Sequence, residues 1–301
     1  MTTLQTHAHA VPPGRLVSNA RSRKWKNRLA LAVMCSMLLL CMVPLVSVLY
    51  ELFSMGFKSI SPSFLVNLPL ARPPGIGNAI SGSMLILLVA SAFSVPTGLL
   101  CGLYLSQRAE THSAALSRLL LDAMAGIPAI VVGMFVYTLV VQPMGGASLL
   151  AGGLSLAMIM LPVFARTTEE ALKAIPSTIT EAGLGLGFPR RKVILRVLVR
   201  SSMPAILTGF FLSVARVGGE AAPLLFTALG SNSWPRMGPA VVTEQIASLP
   251  VTIYELARQP FPEMYALAWG AALVLVLFIL SIRIATNLFV RWRYGQRGGH
   301  A

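Results

Sequence analysis

The sequence predicts an all-α integral membrane protein with six transmembrane helices. Apolar residues make up 55% of its 301 positions and charged residues only 11%. The mean hydropathy is +0.73, and the apolar residues fall into long runs free of charge. Soluble domains carry about a quarter charged residues and roughly 45–50% apolar ones. A chain this apolar cannot hide its surface in one core and still face water with charge, so its main solvent is membrane lipid. The net charge of +14 would point to nucleic acid in a soluble protein. Here the basic residues cluster beside the apolar runs, the pattern of charges held on the cytoplasmic side of a bilayer. No soluble domain remains to bind nucleic acid, so none is expected as a partner.

A hydrocarbon core about 30 Å thick takes roughly 20 apolar residues in helical form. After a basic cytoplasmic tail over 1–28, the first span is expected at 29–50. Its leader, Arg21 to Arg28, resembles that of a signal peptide, but the apolar run exceeds the about 7–15 residues of an h-region and no Ala-x-Ala site follows. It is read as a retained helix. Further spans are expected at 79–105, 121–141, 147–165, 204–229 and 265–289, with a second tail over 291–301. The turn formers Gln142-Pro-Met-Gly-Gly146 separate the third span from the fourth. Arg283, in the last turns of the sixth, can snorkel to the interface.

An even number of spans puts both termini on one side. With that side inside, the cytoplasmic segments hold eighteen Lys and Arg residues and the outside loops four: Lys58, Arg72, Arg236 and Arg258. This asymmetry fixes the expected orientation, with 51–78 and 230–263 outside. Both outside loops are proline-rich and low in charge, which suits docking of an external partner. Cys35, Cys41 and Cys101 lie in apolar runs, in no metal or redox spacing, and His7, His9, His112 and His300 lie in tails or a loop. No metal site or cofactor is expected.

The longest inside loop, 166–203, carries its own structure. Thr178-x-x-Glu181 fits a capping box, and Gly187 and Pro189 are stop signals. Together they predict a short amphipathic helix outside the membrane. Within it, Glu181-Ala182-Gly183 followed by Gly187 resembles the Glu-Ala-Ala-x-x-x-Gly loop of ABC importer permeases. Gly183 replaces the last alanine, and the family's distal proline is absent, Arg200 standing in its place. Three further stretches resemble phosphate permeases of the PstA family: Asp122-x-x-x-Gly126-Ile127-Pro128, Leu161-Pro162 through Glu170, and Ala215-Arg216-Val217-Gly218-Gly219-Glu220-Ala221-Ala222-Pro223-Leu224-Leu225-Phe226. The resemblance covers roughly residues 75–290.

That resemblance implies the type I ABC importer permease fold, with 166–203 forming a coupling helix that sits in a groove on an ATPase. Glu181, Ala182, Gly183 and Gly187 are the implied coupling residues; the plainer reading of Glu181 is a cap of its own helix. It also implies phosphate as substrate, a second permease of PstC type, a dimeric ATPase of PstB type, and an external phosphate-binding protein of PstS type. No Gly-x-x-x-x-Gly-Lys-Ser/Thr occurs, so ATP hydrolysis is expected from the other subunit and this chain is not expected to be an enzyme.

Arg216 falls about thirteen residues into the fifth span, roughly 20 Å deep at 1.5 Å per residue. An arginine there costs at least about 2.5 kcal/mol unless it faces protein or water. Glu220, at i+4, is expected on the same helical face. Two readings stand: Arg216 offers a donor fork to a crossing phosphate with Glu220 as its resting partner, or the two form a structural ion pair. Asp122 reads as an interfacial charge. The same fold importing molybdate or sulfate is the near alternative. An intramembrane enzyme lacks His-Glu-x-x-His or Gly-x-Ser-x-Gly here. A secondary transporter would show inverted repeats and would leave the coupling loop unexplained.

Overall fold

The structure, a computed structural model, describes residues 20–236 and 238–294. The two tails lie largely outside that range. Among the described residues the regular elements are helices, joined by a single isolated parallel bridge between Leu229 and Ile246. Two compact units divide the chain, one ending at Phe53 and one beginning at Ser54.

Helix α1 runs Ala20–Ser59, and its side chains from Ser22 to Tyr50 are exposed. From Leu29 onward this bare stretch is free of charge, a surface that suits lipid. Within the second unit, the end of α1 meets the last helix, where the Ser59 hydroxyl donates to the Ala266 carbonyl at 2.9 Å. Short α2 (Pro62–Val66) is capped by the Ser61 hydroxyl, which accepts from the Phe64 N–H.

Helices α3 (Gly77–Gln107), α6 (Leu149–Lys173), α8 (Arg190–Val217) and α11 (Pro262–Tyr294) are long and apolar enough to cross a membrane, as is α1. Lipid is as apolar as leucine, so helices in it associate through close packing of small residues. That is how α3 meets α6. A Cβ on Gly102 would stand 2.6 Å from the Thr168 Cβ and 2.7 Å from the Ala165 carbonyl oxygen. Helix α6 is in turn tied to α8 by the Ser202 hydroxyl, which donates to the Ala171 carbonyl at 3.0 Å.

The expected third span is not one straight helix. Helix α4 (His112–Gly126) and helix α5 (Ala129–Val136, continuing helically to Met144) meet at a bend of 100°. Pro128 is the cause. It disfavours helical geometry at the residue before it, and Ile127 is accordingly extended, with ψ 129°. The expected turn at 142–146 is present, with Gly145 left-handed at φ +77°. If the bent pair counts as one crossing, the spans among the described residues number six.

The fifth span also differs from expectation. The sequence predicts a helix over 204–229; the structure ends α8 at Val217 and resumes only with the single turn of α9 (Leu224–Thr227). Gly218 and Gly219 are poor helix formers and Pro223 lacks an N–H, so the stretch between them unwinds. Nor is 230–263 a plain outside loop. It holds helix α10 (Leu249–Ala257), whose first turn is buried. The Leu249 N–H donates to the Ser83 hydroxyl of α3 at 2.8 Å, so this loop folds back into the bundle.

Candidate functional site

Helix α8 begins at Arg190, within the 166–203 segment, and carries Arg216 in its last turn, where the side chain is exposed. Glu220 lies beyond the helix end, half-buried, with its N–H bonded to the Val217 carbonyl at 3.1 Å. The i, i+4 relation expected from a continuous helix is therefore lost. Among the described residues no ion pair joins Arg216 and Glu220, and the Arg216 guanidinium has no hydrogen-bond partner. A cation left open at a helix break in a membrane chain must meet its partner outside that chain: water, another subunit, or an anion. The break itself is held. A Cβ on Gly133 of α5 would stand 2.6 Å from the Pro223 Cα, so α5 presses backbone to backbone on the unwound stretch.

The second group of residues lies on helix α7 (Ser177–Gly185), between α6 and α8. Glu181 and Ala182 are exposed. The expected capping box does not form: the N-cap is Pro176 and Thr178 already lies inside the helix, so its hydroxyl is misplaced for that role. Glu181 is thus no cap, and among the described residues it has no ion pair. Gly183 is where the small residue matters, since a Cβ there would press on the Val193 side chain at 3.0 Å. Gly187 adopts φ +80°, a left-handed geometry that glycine enters freely and that ends the helix. Around it Ile179, Leu184, Leu186 and Phe188 are exposed, Leu186 at 77%. Arg200, which stands where the family has its proline, lies inside α8, two residues past a π-helical turn, Ile194–Leu198.

A third arrangement was not read from the sequence. Glu169 of α6 is 3% exposed and takes three cations. Arg118 of α4 donates from Nε at 2.8 Å, Lys173 from Nζ at 2.7 Å and Arg166 from Nη1 at 3.3 Å. Arg166 also donates from Nη2 to both Asp122 carboxylate oxygens at 2.6 Å. Arg118 closes the knot with bonds to the carbonyls of Ala109 and Leu105. The knot joins α4 to α6 and to the end of α3. Asp122, read as a lone interfacial charge, is a member of it. The spacings Arg166–Glu169–Lys173 and Arg118–Asp122 are helical neighbours in the sequence, a signal that could have suggested two charged faces but not that they meet.

A membrane bundle with a short exposed helix between two of its spans has the architecture of an ABC importer permease. Residues 94–293 match the family described as "Binding-protein-dependent transport system inner membrane component". The phosphate transport system permease protein PstA of Yersinia pestis is 36% identical over 270 residues, covering 88% of this chain and 90% of that protein. Its counterpart from Xylella fastidiosa is 40% identical over 226 residues, covering 74% and 77%. Among solved structures, a chain of a bacterial alginate ABC transporter, in complex with a periplasmic protein bound to an alginate pentasaccharide, superposes with a TM-score of 0.62 at 15% identity. That match covers 91% of this chain and 97% of the other. The chain belongs to the binding-protein-dependent inner-membrane transport components and, within them, to the PstA permease family.

Replacing Glu169 by Gln should leave three cations without their buried anion. Breaking a buried pair from one side costs about 3–5 kcal/mol, so thermal denaturation of the purified protein should shift down clearly. Asp122→Asn should shift it much less, because that carboxylate is 62% exposed and exposed pairs contribute about 0–1 kcal/mol.

Proposed function

We propose that this chain forms half of the path by which an ATP-driven importer carries inorganic phosphate into the cytoplasm. The observation that carries this reading is Arg216, a guanidinium without a partner among the described residues, set at an unwound joint in a membrane helix. A planar fork of N–H donors fits phosphate oxygens. Glycines at 218 and 219 leave room beside it, and Glu220 stands near enough in sequence to take over the guanidinium once the anion has left. The names of the relatives support phosphate over molybdate or sulfate. The other half of the path would be a second permease of PstC type, with an external phosphate-binding protein of PstS type delivering the anion.

The charge asymmetry of the loops supports an orientation with both termini and the 166–203 loop inside. Helix α7 then faces a dimeric ATPase of PstB type. Its exposed apolar residues would fill a groove there, and Glu181, whose carboxylate has no ion pair among the described residues, would meet a cation on that surface. Ala182 and Gly183 keep the helix thin, and Gly187 turns the chain back towards the membrane.

In complexes reconstituted into proteoliposomes, Arg216→Gln should assemble with the ATPase yet lower phosphate uptake by about 10- to 100-fold, the equivalent of roughly 1.5–3 kcal/mol for hydrogen bonds to a charged group. Arg216→Lys should recover only part, since a point charge lacks the fork. Uptake at the wild-type rate by Arg216→Gln would remove the residue from the path. Glu181→Lys, tested alongside, should keep its place in the membrane while ATP-driven uptake is lost; undiminished uptake would leave Glu181 without a coupling role.

A further inference from the structure

Two helices flank the chain where it returns to helical form after the break at Val217. On one side stands Gly133 of α5, buried against the backbone of Pro223. A Cβ there would lie 2.6 Å from the Pro223 Cα and 2.9 Å from its carbonyl oxygen. On the other side stands Gly152 of α6, where a Cβ would lie 3.2 Å from the Ala228 Cβ and 3.4 Å from the Leu224 Cδ2. The first contact is the stricter, because it meets backbone, which cannot turn aside by a change of rotamer.

Pro223 is also held from within. Its carbonyl accepts from the Thr227 hydroxyl at 2.9 Å and from the Phe226 N–H at 3.3 Å. Thr227 is itself buried, its hydroxyl 3.3 Å from that of Ser155 on α6. A Cβ at residue 133 would have to displace a proline bonded into its own turn. Otherwise it would push α5 out of the apolar cluster that Val136 and Val141 form with Ala147 and Ala151.

This seat acts at short range on the charged residues of the joint. Only 218–222 separate Pro223 from the end of α8, and they are bonded at both ends. The Glu220 N–H donates to the Val217 carbonyl and the Leu225 N–H to the Ala221 carbonyl, each at 3.1 Å. Val217 and Leu224, on either side of the stretch, pack in one buried cluster. The position of Pro223 therefore sets that of Glu220, three residues earlier. A continuous helix would bring Glu220 to the Arg216 face; the seated break keeps the two apart.

We propose that Gly133 is a positioning residue, which admits the Pro223 backbone and so fixes the break that keeps Glu220 off Arg216 and leaves the guanidinium open to the anion. The inference rests on the reading of Arg216 as a phosphate ligand. Gly133 touches no phosphate itself; it acts through the backbone of the joint.

The test uses the whole complex, both permeases with the ATPase dimer, in proteoliposomes with the external binding protein, and measures phosphate uptake. Gly133→Ala should assemble with the ATPase and lower uptake about tenfold, in line with overpacking of a close contact. Gly126→Ala, where a Cβ meets nothing within 4 Å, should transport at the wild-type rate. The deciding readout is the combination of changes. In an Arg216→Gln background, Gly133→Ala should lower the residual uptake no further, since the group it positions is gone. Thr227→Val loosens the same seat without added bulk, by removing the hydroxyl that holds the Pro223 carbonyl, and should show the same dependence on Arg216. An equal loss in both backgrounds would make Gly133 a packing residue and overturn the proposal. So would wild-type uptake by Gly133→Ala, or failure of both Gly133→Ala and Thr227→Val to assemble. Wild-type uptake by Arg216→Gln would instead overturn the reading beneath it.

Discussion

Inside a membrane no water is available to a bare peptide group, so every N–H and C=O has to be satisfied within the protein. Unbroken helices meet that demand on their own, and most of this chain consists of them. The departures are informative because each needs a support. The unwound stretch after Val217 is buttressed by α5 at Gly133. The start of α6 is met by the Thr227 and Glu244 carbonyls, which accept from the N–H groups of Ser148 and Leu149 at 2.9 and 2.8 Å. The returning segment before α10 is met by the Ser83 hydroxyl. These supports require α3, α5, α6 and α8 to lie close together. The small residues along α3 permit that, and the result is a joint at which Arg216 stands at a helix end rather than along a helix side.

Charge is handled by a second device at the other end of the bundle. Glu169 is buried and takes cations from two helices, one of them also holding Asp122. Such a cluster stabilises little by itself, since desolvation offsets most of the attraction. Its value lies in geometry, because α4 is otherwise separated from α5 by a 100° bend. Helix α7 follows α6 after only the residues 174–176, so displacement of α7 bears directly on the helix that carries the knot.

The apolar spans were legible because charge-free runs of that length have few alternatives, and the short helix α7 because its stop signals, Gly187 and Pro189, act locally. The breaks were less so. Pro128 was visible, yet proline kinks one helix and ends another, and the choice at Ile127 depends on α4 being held by Arg118 and Asp122. The end of α8 at Val217 needed Gly218, Gly219 and Pro223 to be weighed against a long apolar run that favoured continuation. The return of residues 244–257 into the bundle could not be read at all, because it depends on Ser83, far away in sequence. For Arg216 and Glu220 the residue types pointed to a special place while their spacing misled, since the i, i+4 rule assumes a helix that is not there.

Arg216 as a phosphate ligand is the claim on which the functional account turns. An experimental structure of the assembled complex, trapped with the binding protein and phosphate, tests it most directly. The expected result is phosphate density within hydrogen-bonding distance of the Arg216 guanidinium, with Glu220 apart from it. Phosphate passing along another surface, with no anion at the Arg216 guanidinium, would contradict it.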